Sequence, residues 1–302
     1  MSNKKIYSIL IFVMLLWGMN VSWMKLIITS GDPLTLQGLR VFLAALTVFL
    51  ILKLMKQPLT VPNMPWKYII LACFFGVICH HGFFAYGIEQ TTAMKTAIIS
   101  GMSPLFTAFV AVLFKDTVMT RAKGLGFMLG GIGVLIAVVR DFSDLINWAL
   151  GDVFMILSFF LQAFSFIAIR RATRIMQPML VTAWMLLIGS SVLLLAALII
   201  SPSNFTVLTG LSPIVLTLFL LSAILATGVG HTLYNLCIKQ IGAAESAIFA
   251  NFNTVFALIF SALLLGEIIT IQQFIGSVFI IVGVIVGTGN VERLLKWRRE
   301  VA

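Results

Sequence analysis

The paired stretches HHGFFAYGIEQTTAMKTAIISGMSPLF (80–106) and GHTLYNLCIKQIGAAESAIFANFNTVF (230–256) decide how this chain folds. At an offset of 150 residues, without a gap, His81 falls on His231. Ala93, Lys95, Ala97 and Ile98 fall on Ala243, Glu245, Ala247 and Ile248, and Phe106 falls on Phe256. The register runs on through Leu113 and Leu263, Thr120 and Thr270, Gly126 and Gly276, and Gly133 and Gly283. Earlier in each copy the offset drifts to 145 residues, pairing Pro33 with Pro178. Apolar residues coincide readily in a chain like this, so the His and Gly pairs carry the weight. The sequence therefore holds one unit written twice.

The unit is built for lipid. Of 302 residues, 61% are hydrophobic and only 10% are charged, where a soluble domain carries about 25% charged residues. Apolar surface left over on that scale would aggregate in water. A bilayer core needs roughly 20 apolar residues per helix. That ruler places spans at 6–28, 34–54, 67–87, 92–114, 123–140, 150–171, 179–200, 213–238, 243–265 and 273–289. Pro33, Pro178 and Pro213 open helices, where a missing N–H costs nothing. Pro58, Pro62 and Pro65 fill one loop. The first apolar run, Ile6 to Ile28, is too long for a signal-peptide core and lacks a small-residue cleavage site, so it reads as a retained helix. Cys73, Cys79 and Cys237 lie inside apolar runs and read as small hydrophobes, not as a disulfide framework.

A net charge of +10 does not point to nucleic acid, because the basic residues sit at the ends of the apolar runs. With ten spans, one side of the membrane collects all but Lys25, Arg40, Lys95 and Arg140 of the 20 Lys and Arg. Asp32, Glu89, Asp141, Asp144, Asp152 and Glu267 lie toward the other side. The positive-inside rule then puts both termini in the cytoplasm of a cell-membrane protein. The expected fold is all-α: ten transmembrane helices, divided into residues 1–145, residues 146–290 and a basic cytoplasmic tail at 291–302. Five helices is an odd number, so the second copy enters the membrane upside down. Inverted copies place a binding site near the midplane and expose it to each side in turn as they rock.

The motifs carry a resemblance. Trp17-Gly18, Arg40 after Pro33, Ala93 and Ala97, Ser103-Pro104-Leu105-Phe106, Gly126 and Gly133 stand in the first copy. Gly242-Ala243-Ala244-Glu245, Asn251 to Phe256 and Leu265-Gly266-Glu267 stand in the second. Together they resemble the EamA-type members of the drug/metabolite transporter superfamily, over nearly the whole chain. The resemblance implies two inverted five-helix EamA-type repeats around a central cavity formed mainly by helices 3, 4, 8 and 9, with helices 1 and 6 beside them. It implies transport of small metabolites, often efflux of amino acids or related compounds, and it leaves helices 5 and 10 at the shared edge. Two positions depart from the pattern: Thr254 stands where a second proline like Pro104 is expected, and Lys115-Asp116 replaces a Gly-Glu pair.

Polar groups inside a membrane are costly and mark function by default. His81 and His231 come first, as repeat-related histidines able to bind substrate, carry protons or join two helices. His80 points elsewhere around the same helix. Tyr86, Tyr234, Asn235, Asn251, Asn253, Ser100, Ser103, Trp17, Asn20, Gln162 and Ser165 are expected beside them, forming an aromatic and amide-bearing cavity for zwitterionic or aromatic metabolites. The same residue types also serve as plain interhelical contacts. Arg40, about 9 Å into its helix, reads as a gating pair with Asp32 or Glu89 before it reads as a substrate contact. Glu245, at a helix start that suits an acid, is the candidate for proton coupling. Pro104, inside a span, is expected to bend its helix as a gate element. Gly126 with Gly130, and Gly283 with Gly287, are small-residue spacings for close packing within the monomer, a homodimer face being the lesser reading.

An intramembrane serine hydrolase using Ser103 and His231 is the rival function. Its signal is weak, since no HExxH and no paired Asp-rich motif accompanies it. No cofactor or metal signature is present, nothing resembles a channel filter, and the expected partners are a small-molecule substrate, lipid and, as coupling ion, protons.

Overall fold

The computed structural model describes residues 3–115, 120–138, 149–200 and 210–287, and no strand occurs among them. The first half contains α1 (Asn3–Ile28), α2 (Pro33–Leu54), α3 (Trp66–Cys73), α4 (His80–Gln90), α5 (Ala93–Ser100), α6 (Ser103–Leu113) and α7 (Arg121–Val138). The second half repeats the order as α8 (Leu150–Ala172), α9 (Pro178–Ile200), α10 (Pro213–Leu221), α11 (Gly230–Ile241), α12 (Ala243–Ile248), α13 (Ala250–Leu265) and α14 (Ile271–Gly287). A π-helical segment, Phe74–Cys79, joins α3 to α4, and a second, Ser222–Val229, joins α10 to α11. Both end at the same place in the repeat. Such wide turns are rare and gather at functional sites.

Local chemistry sets the starts. Pro33 begins α2, and the Asp32 carboxylate accepts from the Thr35 N–H at 2.8 Å and the Thr35 hydroxyl at 2.6 Å. Pro213 begins α10 behind the Ser212 cap. Among the described residues, seven helical runs are long and apolar enough to cross a membrane: Lys4–Ile28, Pro33–Leu54, Trp66–Gln90, Ala93–Leu113, Leu150–Ala172, Pro178–Ile200 and Pro213–Ile241. Gly124–Gly133, Phe252–Leu265 and Ile271–Gly283 are shorter apolar stretches. The sequence span at 243–265 holds α12 and α13, joined through a single turn residue, Phe249, in the right-handed helical region. The ends of the spans at 123–140 and 273–289, like the tail at 291–302, lie outside the described residues.

The outer surface is apolar as well as the core, and several polar groups are buried between the helices. Ile199, Ile214, Leu263 and Ile271 are each more than 70% exposed, whereas Arg40, His80, His81 and Asn253 are buried. That surface belongs against lipid, and the chain is a multi-span membrane protein.

Repeat-equivalent helices meet each other. A Cβ on Gly133 would sit 2.6 Å from the Gly276 carbonyl oxygen, and one on Gly283 would sit 2.8 Å from the Gly126 carbonyl oxygen. The reciprocal contacts make α7 and α14 antiparallel and leave room for glycine alone. Likewise α2 lies antiparallel to α9, with Gly38 against Leu194 and Phe49 edge-on to Trp184. The first helix of each half packs on the opposite half, α1 on α11 and α13, and α8 on α4, α5 and α6.

Candidate functional site

Where α1 and α8 cross over, the two halves enclose a cavity of about 90 Å³. Arg40, His80, His81 and His231 supply its titratable centre, together with Tyr234. Trp17, Phe84, Phe159 and Phe166 give it an aromatic wall. The His81 and His231 rings face each other with centroids 5.9 Å apart. Trp17 packs on both His231 and Tyr234, at 5.1 and 4.9 Å, and its Nε1 donates to the Ala226 carbonyl in the second π segment at 2.8 Å.

Two chains of hydrogen bonds fix the polar side chains. An arginine only donates, so Arg40 Nε, at 3.2 Å, requires an acceptor, the Gln37 Oε1. Gln37 Nε2 must then donate to His81 Nδ1, 2.8 Å away. The proton of His81 therefore sits on Nε2, which has no partner. His80 takes the opposite tautomer. Gln162 Nε2 donates to His80 Nε2 at 3.0 Å, so His80 Nδ1 carries the proton and donates toward the Ser158 carbonyl at 3.2 Å. The Ser158 hydroxyl returns a bond to the His80 carbonyl at 2.9 Å. His80 thus ties α4 to α8 with both ring nitrogens engaged, while His81 keeps a free donor.

Arg40 Nη1 donates to Ser222 Oγ at 3.1 Å and to Thr227 Oγ1, both in the second π segment. Ser222 in turn donates to Asn20. Asp32 and Glu89, the acids considered for Arg40, are elsewhere engaged or apart: Asp32 caps α2, and no ion pair to Arg40 occurs among the described residues. Asn253 Nδ2 donates to Ser100 Oγ at 3.1 Å across the two halves, leaving Asn253 Oδ1 unpaired.

Ten of the sequence candidates converge on this cavity: Trp17, Asn20, Arg40, His81, Ser100, Ser103, Gln162, His231, Tyr234 and Asn253. Tyr86 and Asn235 do not line it; Asn235 instead donates to Thr182 at 2.8 Å. Ser165 donates to the Ala72 carbonyl at 3.1 Å. The side chains of Asn251 and Glu245 lie outside the described residues. Pro104 sits in the first turn of α6, just after the turn at Gly101-Met102 that interrupts the Ala93–Leu113 run, where a proline offers no N–H to the Ser100 carbonyl. Ser103 and His231 share the cavity without a hydrogen bond between them. His80 was set aside by a simple helical wheel. It lines the cavity because the cavity lies in the fork between α8, which His80 faces, and α2 with α11, which His81 faces. Thr227 carries no sequence signal beyond its place four residues before a repeat-related histidine, His231. Among the described residues, no group of three His, Cys, Asp or Glu is placed to hold a metal.

One end of the bundle is tied across the halves. Lys95 pairs with Asp152 at 3.0 Å, and Asp152 also accepts from the Thr91 hydroxyl. The Glu267 carboxylate accepts from the Ala93 and Met94 N–H groups at 3.1 and 2.9 Å, capping α5. It gets there because Gly266 ends α13 at φ 65. Lys25 Nζ donates to the carbonyls of Ile88, Glu89 and Thr91. At the ends of α8 and α11 the structure is open: Arg170, Arg174 and Lys239 line a cleft of about 430 Å³.

Known proteins agree with this architecture. The profile of the EamA-like transporter family matches residues 4–139 and 149–288. YoaV of Bacillus subtilis (strain 168), named as an uncharacterized transporter, is 25% identical over 289 residues, covering 94% of this chain and 97% of that protein. A Chlamydia muridarum (strain MoPn / Nigg) protein named as an S-adenosylmethionine/S-adenosylhomocysteine transporter is 24% identical over 264 residues, covering 83% and 81%. A solved crystal structure superposes with a TM-score of 0.71 at 14% identity, covering 97% of this chain and 99% of that one.

Proposed function

We propose that this chain, which belongs to the EamA-like transporter family, moves a small metabolite through the central cavity by alternating access, in the direction of efflux. The carrying observation is that repeat-related His81 and His231, one from each half, meet at 5.9 Å inside a polar cavity buried among apolar helices. The antiparallel contacts of α7 with α14 and of α2 with α9 are what two inverted five-helix repeats, 1–145 and 146–290, require. In this reading α7, the α12–α13 pair and α14 complete a set of ten spans with cytoplasmic termini.

The cavity of about 90 Å³ holds several waters but is below the 300–1,000 Å³ of ordinary ligand sites. The halves are therefore drawn together around it. The ties of Lys95 with Asp152 and of Glu267 with α5 close one end and must break for cargo to pass there. Hydrolysis is the weaker reading, because a serine nucleophile needs its base within hydrogen-bond reach.

Metabolite profiling of cells that overproduce the protein tests the proposal. At least one compound should shift across the membrane, and the shift should vanish with His231→Ala. An unchanged profile in overproducing and deleted cells alike would overturn it.

A further inference from the structure

Resting on the transport reading, we infer that the cargo carries a carboxylate and that Arg40 is its counter-ion. Arg40 is the largest fully buried side chain in the described structure and it lines the cavity. Among the described residues its hydrogen bonds go to Gln37, Ser222 and Thr227, all neutral, and none involves Nη2. Among the described residues no Asp or Glu lines the cavity and no acid pairs with the guanidinium. A buried cation without an anion is costly, more so within a membrane, where such groups mark substrate paths. Three neutral partners orient the guanidinium but do not balance its charge. An arriving anion does.

The rest of the cavity fits the same ligand. His81 Nε2–H is a second buried donor with no partner. It is held in the donating tautomer by the chain that begins at Arg40 itself. A carboxylate offers acceptors to both groups, and guanidinium binds it well because the two planar forks match. Trp17, Phe84, Phe159 and Phe166 form a wall for an apolar or aromatic body. None of the described lining residues is acidic, so a cationic cargo would add a second positive charge beside Arg40.

The test uses three probes that share a benzyl group: phenylacetate, phenylacetamide and phenethylamine. Each is added at constant ionic strength to the purified protein in an uncharged detergent, with sodium chloride at equal concentration as control. Phenylacetate should raise the unfolding temperature, and the amide should bind at least about tenfold more weakly, as expected when a hydrogen bond to a charged group becomes neutral. Arg40→Gln should abolish the shift, and Arg40→Lys should keep part of it. Arg40→Gln should also not lower the unfolding temperature without ligand, an outcome a purely structural arginine would not give. The wild-type series decides the matter if that variant fails to fold. Equal stabilisation by the amide or amine, stabilisation by chloride alone, or none by any probe overturns the inference. In proteoliposomes loaded with mixed metabolites, flux of neutral or cationic compounds only would keep transport and overturn the carboxylate. Phenylacetate binding without any flux would do the reverse.

Discussion

Replacing Glu267 with Gln should open the tied end of the bundle. The Glu267 carboxylate holds two N–H groups of α5, at 3.1 and 2.9 Å, from the other half of the chain. A hydrogen bond to a charged group is worth about 1.5–3 kcal/mol, and a negative charge at a helix N-terminus adds about 0.3–1 kcal/mol. Gln retains one acceptor oxygen and presents its amide hydrogens to the second N–H. The closed state should therefore lose about 2 kcal/mol relative to the open one, a shift of roughly 30-fold in their ratio. The readout is labelling of a Ser100→Cys probe, in the cavity, by a membrane-impermeant thiol reagent added from the Glu267 side. The background carries Ala at Cys73, Cys79 and Cys237. Labelling should accelerate by about the same factor. Glu89→Gln, at an exposed side chain of the same end, should leave the rate unchanged. A folded Glu267→Gln protein that labels no faster than the parent would refute the idea that this tie holds the halves shut.

Three other outcomes follow from the packing. Gly133→Ala should cost about 2 kcal/mol of stability by overpacking against α14, while Gly124→Ala, whose Cβ meets nothing within 4 Å, should gain about 0.5–1 kcal/mol of helix propensity; thermal unfolding in detergent compares them. Lys115 adopts φ 57 at the end of α6, so Lys115→Gly should stabilise the protein by about 1 kcal/mol in the same assay. Asn235→Ala should lose an interhelical bond worth about 0.6 kcal/mol and leave transport intact, as should Tyr86→Phe, whereas Asn253→Ala should depress transport with little change in unfolding temperature.

Much of the fold was legible because membrane helices announce themselves by length and hydropathy, and because glycines and histidines recur at one spacing. The prolines marked helix starts since Pro33, Pro178 and Pro213 need no N–H partner there. Two features stayed hidden. The π segments at Phe74–Cys79 and Ser222–Val229 carry no distinctive composition, yet Ser222 and Thr227 in the second hold Arg40 in the cavity. The second is the left-handed residue that ends α6: Lys115 takes the conformation in which Gly266 ends α13, while Asp116 lies outside the described residues. Tyr86 and Asn235 were misplaced for one reason: position on a cavity helix does not say which face looks inward. The exact place of the turn at Gly101-Met102, just before Pro104, is not legible because it lies inside an uninterrupted apolar run.

The central claim is that the two halves carry a metabolite, chemically unchanged, through the cavity between His81 and His231. Purified protein in liposomes loaded with a cell metabolite extract tests it directly, with mass spectrometry of what leaves. At least one compound should appear outside intact, faster than from empty liposomes, and its release should survive Ser103→Ala and fall with His231→Ala. The account is contradicted if no compound leaves faster than from protein-free liposomes. It is equally contradicted if compounds emerge chemically altered and Ser103→Ala abolishes the alteration.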